Sequence, residues 1–347
     1  MATVTATRQW AGSAVPVIDI APYFSGEPAQ KRRVARAVGD ACQSIGFLVV
    51  AGHGVPDALI ARTHASASAF FDLPDEVKRR YTTTDPNIYR GYYAVGTNAV
   101  AYSRDDLAAP PDHREIFSIN RVKIDPSDPY YASPIGQRIF APNIWPEIVP
   151  DLRQSWTEYY VAMESLARSL MRLFALALDL DEFWFDDKID KHMTNFAASN
   201  YPDQPEELPR GQLRAGPHTD YGSLTILKTQ DKPGGLEVLD AAGNWSAVPI
   251  VPDTFIINLG DLMAQWTNDR WVSTMHRVVN PPRDKAVGSR RQSLVFFHQP
   301  NYDALVECLP TCREAGPKYA PITSGEHLLA KMAKMQDVAR AAVAAES

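Results

Sequence analysis

Two histidine–acid pairs offer metal-ligand chemistry: His218-Thr219-Asp220 and His113-Arg114-Glu115. In extended backbone, residues i and i+2 project to the same side, so each pair presents an imidazole and a carboxylate together. With 41 acids in 347 residues and eight histidines, about one such pair is expected by chance, the false-positive risk of any short motif. Context separates the two. His218-x-Asp220 leads into Leu224-Thr225-Ile226-Leu227, a run of β-formers that reads as a buried strand. Downstream, His276 stands inside a second β-rich run, Ser273 to Val279. Two imidazoles and one carboxylate on a barrel face occupy one side of an octahedron, an arrangement suited to Fe(II) with positions open for substrate and dioxygen. The bland alternatives are a solvated pair and a hydrogen-bonded core histidine. A zinc site would use the same ligands.

A third feature begins the next strand. Arg291 and Ser293 share one side, and a guanidinium fork beside a hydroxyl is a natural clamp for a carboxylate. Arg290 is adjacent, so a surface arginine in a basic turn is the competing reading. Ser293 and Val295 continue the side of Arg291, which favours Arg291.

These side chains need a rigid frame. Between about His192 and His298, short β-rich runs alternate with turn residues: 191–197, 213–217, 223–229, 236–239, 245–248, 254–259, 274–279 and 292–298. That pattern predicts a sandwich or barrel. Ahead of it, Leu152, Trp156, Tyr159, Met163, Leu166, Leu170, Leu173 and Ala177 recur at steps of three and four, which predicts a long helix over 151–179. The first 80 or so residues read as an α/β module behind a loose tail of 1–15: a strand at 17–20, a helix at 28–44, a strand at 46–50, a helix after Pro56 and a short charged helix at 75–81. Residues 82–114 are irregular and carry Tyr89, Tyr92, Tyr93 and Tyr102, a loop length that is more often functional than filler. Residues 115–121 alternate into a strand, and 126–146 read as loop. A last helix is expected over 324–345 with Ser324 as N-cap. The chain thus divides into an N-terminal module (1–120), a helical support (121–190), a β core (191–300) and a C-terminal helical segment (301–347), all in one compact unit.

Composition narrows the classes. Apolar residues make up 45% and charged residues 22%, the balance of a globular protein with a sizeable core. A net charge of −6 without a basic block argues against a nucleic-acid partner. The cysteines, Cys42, Cys308 and Cys312, form no disulfide framework, which fits a reducing cytosol. No signal peptide is read at 1–14. The longest apolar stretch, 166–180, is broken by Arg168 and Arg172 and is too polar to span a bilayer. A cytoplasmic protein of undetermined oligomeric state is expected.

The set resembles the isopenicillin N synthase-like branch of the Fe(II)/2-oxoglutarate-dependent oxygenases, over most of the chain. Val15 to Ile20, Gly46-Phe47 through Val55, and Phe70 through Lys78 look like that family's N-terminal module. His218-Thr219-Asp220, His276 and Arg291-Gln292-Ser293 match its motifs in order, as do Gly234-Gly235-Leu236 and Asn258-Leu259-Gly260-Asp261. The resemblance implies a double-stranded β-helix (jelly-roll) core in a mixed α/β fold. It implies Fe(II) on His218, Asp220 and His276. The far carboxylate of 2-oxoglutarate would sit on Arg291, Ser293 and Tyr201, whose Tyr201-Pro202 matches the family's cosubstrate element. It implies a dioxygenase that hydroxylates or desaturates a small organic molecule while O2 drives decarboxylation of 2-oxoglutarate to succinate and CO2. A relative that works without 2-oxoglutarate would instead hold a substrate carboxylate with Arg291 and Ser293. The intact Asp220 argues against a halogenase. Tyr92 and Tyr93 lie where relatives fold a lid, and Phe297 could face substrate. Trp266 reads as core. Ser199 departs from the Asn of many plant relatives. The His276–Arg291 interval is longer than usual, and its loop, with Pro281-Pro282 and Gly288, is expected to bulge outward without moving the arginine.

Overall fold

A computed structural model describes residues 7–9, 13–83, 85, 88–97 and 110–334. Most of the expected N-terminal tail, Tyr102 and the last helix beyond residue 334 lie outside the described residues. In chain order the main strands are β1 (Thr7–Gln9), β2 (Pro16–Asp19), β3 (Phe47–Ala51), β4 (Gly91–Tyr93), β5 (Glu115–Ile119), β6 (Asn195–Tyr201), β7 (Ala215–His218), β8 (Leu224–Thr229), β9 (Leu236–Leu239), β10 (Trp245–Ala247), β11 (Phe255–Leu259), β12 (His276–Val278) and β13 (Arg291–His298). The helices are α1 (Pro28–Ser44), α2 (Asp57–Phe71), α3 (Asp75–Lys78), α4 (Pro129–Ala132), α5 (Pro134–Ile139), α6 (Leu152–Ala177), α7 (Asp186–Ile189), α8 (Asp261–Trp266) and α9 (324–334).

The period-two pattern builds two facing sheets. The larger has the order β1-β2-β3-β11-β8-β13-β6-β5-β4 and the smaller β10-β9-β12-β7. This is the expected jelly-roll core in a mixed α/β fold. Alternation divides each strand of the large sheet. Leu48, Val50, Ile226, Ile257, Leu294 and Phe296 face the helices, while Phe47, Val49 and Ile256 meet Leu236, Val238 and Val278 of the small sheet. Helix α6 lies under the outer side and also packs on α1 and α2. Trp156 meets Phe117 and Phe196 edge-on, with ring centroids 5.5 and 4.7 Å apart. Leu170 of α6 is fully buried, so its truncation to Ala should cost about 2–5 kcal/mol.

Three local expectations change. Strand β6 begins at Asn195, four residues later than the reading from Lys191, because the lead-in is tied off the ladder. The Lys191 N–H donates to Asn301 Oδ1 at 2.7 Å, and the Tyr160 hydroxyl donates to the Thr194 carbonyl at 2.8 Å. The expected loop at 126–146 contains α4 and α5, each started by a side-chain cap, Asp128 and Ser133, followed by Pro. Helix α9 is capped by Thr323 rather than Ser324. Thr323 Oγ1 accepts the Glu326 N–H at 3.2 Å, and Glu326 accepts the Thr323 N–H at 3.0 Å, a reciprocal capping box. Trp266 is core as expected, packed on Phe185. No described helix is long and apolar enough to cross a membrane, and the three cysteines are free thiols.

Candidate active site

Cross-strand register brings the two histidines together. His276 on β12 is the direct partner of His218 on β7, with ring centroids 4.2 Å apart. Asp220 follows in the tight turn into β8. Its carbonyl accepts the Asp261 N–H at 2.8 Å. The turn also depends on two glycines in close backbone contact. A Cβ on Gly222 would stand 2.2 Å from the His298 carbonyl, and one on Gly260 would stand 2.3 Å from the Gly222 carbonyl.

Hydrogen bonds then decide which ligand atoms are free. His218 Nδ1 faces the Gly216 carbonyl at 2.8 Å, and His276 Nδ1 faces the Thr274 carbonyl at 3.0 Å. A carbonyl can only accept, so each Nδ1 carries the proton and each Nε2 keeps its lone pair. Asp220 Oδ2 accepts from the Thr225 hydroxyl and, at 2.7 Å, from Asn258 Nδ2. Its Oδ1 turns to the imidazoles, 4.0 Å from His218 Nε2 and 3.9 Å from His276 Nε2. The three groups offer ligand atoms that all lie within 4.8 Å of one another. Two imidazole nitrogens and a carboxylate oxygen gathered in this way are a donor set that would fit one divalent metal ion. Burial, then the neighbouring His276, push the His218 pKa down to about 3. Burial alone would raise that of Asp220, but the two imidazoles and the two donors hold it below the ordinary carboxylate value. At neutral pH the site therefore presents a neutral imidazole and an ionised carboxylate, the protonation states that a metal requires.

A second centre lies on the inward side of the large sheet. Arg291 pairs across the ladder with Tyr201, and Ser293 stands between Ser199 and Thr229. Arg291 is 1% exposed. It donates through Nη1 to the Gly234 carbonyl at 2.8 Å and through Nη2 to the Thr229 hydroxyl, which also accepts from Ser293 at 3.0 Å. The Tyr201 ring lies 5.5 Å from the guanidinium carbon. Its hydrogen-bond partners are all neutral, and its Nε has none among the described residues. Burial lowers its pKa, with Tyr201 and Asp231 opposing. A buried guanidinium held this way calls for an incoming anion.

The other sequence-derived candidates sort by strand side. Glu115, the acid of the competing pair, is consumed by Lys78, the Tyr92 hydroxyl and Asn200 at 2.8, 2.7 and 2.8 Å. Arg290 turns outward to Asp72 and Asn200. Tyr92 pairs with Phe117 and faces the helices, so it is not brought to the histidines. Adjacent residues on a strand cannot both face inward, and it is Tyr93, the partner of Ile116, that does. Phe297 pairs with Asn195 and Thr225, and Thr225 with Asn258. Phe297 thus stands in the row that holds Asp220. The longer 279–290 loop carries a short 3₁₀ turn, Arg283–Lys285, and leaves Arg291 in register. Missed from sequence were Thr225, Thr229, Arg214, Asp112 and the role of Arg114, while Asn258 stood there only as part of a family-like motif without a role. Arg214 is fully buried and ties Pro233 to Ser289, donating to each carbonyl at 2.8 Å.

Comparison with known proteins decides the family. Residues 15–148 match the model described as non-haem dioxygenase in morphine synthesis N-terminal, and residues 191–300 match that of the 2OG-Fe(II) oxygenase superfamily. The 2-oxoglutarate-Fe(II) type oxidoreductase hxnY of Emericella nidulans is 36% identical over 323 residues, 90% of this chain and 88% of its own. The chain belongs to the 2OG-Fe(II) oxygenase superfamily. Validamycin A dioxygenase of Streptomyces hygroscopicus subsp. limoneus is 31% identical, covering 92% of this chain and 86% of its own. The crystal structure of full-length Neurospora crassa T7H with alpha-KG superposes with a TM-score of 0.82 at 29% identity, covering 95% of this chain and 99% of that one. This oxygenase is accordingly a dioxygenase that uses Fe(II), 2-oxoglutarate and O2. Family membership sets aside a non-enzymatic barrel and a zinc hydrolase, and hxnY by its name and T7H by its bound alpha-KG are 2-oxoglutarate proteins rather than oxidases that dispense with it.

Proposed function

We propose that His218, Asp220 and His276 hold Fe(II) through Nε2, Oδ1 and Nε2, and that Arg291, Ser293 and Tyr201 receive the far carboxylate of 2-oxoglutarate. The enzyme hydroxylates or desaturates a small organic molecule that sits against Phe297, with Tyr93 on the same inward side. Bound Fe(II) supplies the activation of dioxygen, coupled to decarboxylation of 2-oxoglutarate to succinate. The chain's own groups orient the ligands, balance charge and exclude water. One observation carries the reading: Nδ1 of both histidines and Oδ2 of Asp220 are occupied, so the remaining ligand atoms converge on one point. Family relatives act on small molecules, and one T7H structure holds thymine together with alpha-KG. The three free thiols fit a reducing, cytoplasmic setting.

The test is succinate release by Fe(II)-loaded protein, screened against a small-molecule library. A stimulating compound should be oxidised in proportion to succinate formed, and its product mass separates hydroxylation from desaturation. His218→Ala and Asp220→Ala should each reduce release to background. Wild-type release from either variant would overturn the assignment.

A further inference from the structure

The segment before β5 carries two buried charged groups that the proposed roles leave unused. Asp112 is 2% exposed, and the Arg114 side chain is 9% exposed. They pair at 3.1 Å through Arg114 Nη2 and Asp112 Oδ2. From there each reaches a different half of the site. Asp112 Oδ1 accepts the Gly216 N–H at 2.9 Å. The carbonyl of that same glycine accepts the Nδ1–H of His218 at 2.8 Å. Tyr201, on the neighbouring strand, contributes to the electrostatic field at Arg114, and the Arg114 Nε has no hydrogen-bond partner among the described residues.

Register explains the placement. Glu115 pairs with Asn200, so Arg114 falls beside Tyr201, which pairs in turn with Arg291. The segment is also stapled to the approach of β7. The His113 N–H donates to the Leu213 carbonyl and the Gln212 amide to the Pro111 carbonyl, both at 2.9 Å. Gly216 has no side chain to limit its own dihedrals. Fixing its N–H from outside supplies the missing restraint, and the following Pro217 narrows the choice further.

We propose that Asp112 and Arg114 are positioning residues: Asp112 fixes Gly216 so that His218 presents Nε2 to the metal, and Arg114 holds Asp112 in place from its position beside Tyr201. This rests on the proposed role of His218 as a metal ligand. The pair would couple the metal and cosubstrate halves of the site through one ion pair.

The test measures Fe(II) affinity of the full chain by anaerobic titration, followed by the charge-transfer absorption that 2-oxoglutarate gives on chelating Fe(II). The double variant Asp112→Ala/Arg114→Met leaves neither charge buried alone. It should melt within a few degrees of wild type and bind Fe(II) about 10–100-fold more weakly, the usual cost of losing a partner behind a metal-bound histidine. Asp112→Asn keeps an acceptor for the Gly216 N–H and should recover most of that affinity. A merely structural pair predicts the reverse, a lowered melting temperature with unchanged Fe(II) affinity. Wild-type affinity in the folded double variant, or an Asn variant no better than the double, would overturn the proposal. Wild-type protein that binds no Fe(II) would overturn the His218 assignment itself.

Discussion

Replacing Arg291 with Met should separate cosubstrate binding from folding. In the cosubstrate-free protein two effects oppose each other. Removing the guanidinium takes a donor from the Gly234 carbonyl and from the Thr229 hydroxyl. An unsatisfied buried acceptor costs about 1–3 kcal/mol, although Thr229 keeps its bond from Ser293. Against this, a charge that is 1% exposed and bonded only to neutral groups is removed, a relief of several kcal/mol. The two nearly cancel. Since about 1 kcal/mol moves the melting temperature of a domain somewhat smaller than this one by roughly 2–4 °C, the variant should melt within a few degrees of wild type. In the loaded enzyme nothing cancels. Losing one partner of a buried, hydrogen-bonded charge pair costs about 2–5 kcal/mol, or about 30- to 5000-fold in the 2-oxoglutarate Kd. Arg291→Lys, which keeps charge but loses the fork, should fall between. The assay is an anaerobic thermal shift with Fe(II), with and without 2-oxoglutarate. At 100 times its Kd the cosubstrate stabilises wild type by about 2.7 kcal/mol, and at that concentration the Met variant should gain less than about 1 kcal/mol. A wild-type shift in the Met variant would refute the role of Arg291. A Met variant that does not fold would make the arginine a structural brace.

Asn258→Ala removes one of two donors to Asp220 Oδ2. Fe(II) should then bind about 10-fold or more weakly, and unchanged affinity in the same titration would show that Oδ2 needs no such anchor. Glu115→Ala leaves buried Lys78 with the mostly exposed Asp75 at 2.9 Å and the Phe71 carbonyl at 3.4 Å, so denaturant melts should show a loss of about 3 kcal/mol with metal content unchanged. Loss of metal without loss of stability would instead restore the His113 pair as ligands. The pH dependence follows from histidines whose folded pKa lies below the unfolded value. Burial, opposed by Gln292, holds His64 at about 4, and burial also depresses His192 and His298. For each the stabilisation is complete above the unfolded value of 6.5 and is lost as pH falls below it, for His64 toward 4. At about 1.4 kcal/mol per pH unit, His64 alone accounts for roughly 3 kcal/mol by pH 4. Denaturant midpoints that stay level from pH 7 to 4.5 would contradict this.

Ligation demands particular side chains at particular spacings, and for that reason His218, Asp220, His276, Arg291 and Ser293 stand out as candidates one strand at a time. Their supports do not. Thr225, Asn258 and Thr229 matter only through register between strands far apart in sequence, and ordinary polar residues on a strand carry no mark of what stands opposite. Strand β6 was displaced for a related reason. Its inward residues Asn195, Ser199 and Tyr201 are polar because they line the site, which erases the apolar alternation that announces a strand. Helices α4 and α5 did carry a signal, a capping Asp or Ser followed by Pro, within a stretch otherwise read as loop. The competing pair failed in an instructive way. Its acid went to the helix side and its middle residue, Arg114, to the inward side, the opposite of what counting His-x-acid pairs would select.

The inward side of β13 makes strand register and loop length matter differently. Arg291, Ser293, Val295 and Phe297 run from the anion-binding end to the row that supports Asp220, each fixed by partners on β6 and β8. A side-chain period of two makes that series all-or-none. Length added between Val279 and Arg290 leaves the ladder untouched, as the loop with its 3₁₀ turn at Arg283–Lys285 does here. One residue added within β13 would exchange its two sides, put Arg290 in the barrel and send Arg291 toward Asp72. Loop length and strand register are thus separable, and the loop with its 3₁₀ turn leaves Arg291 in its ladder position.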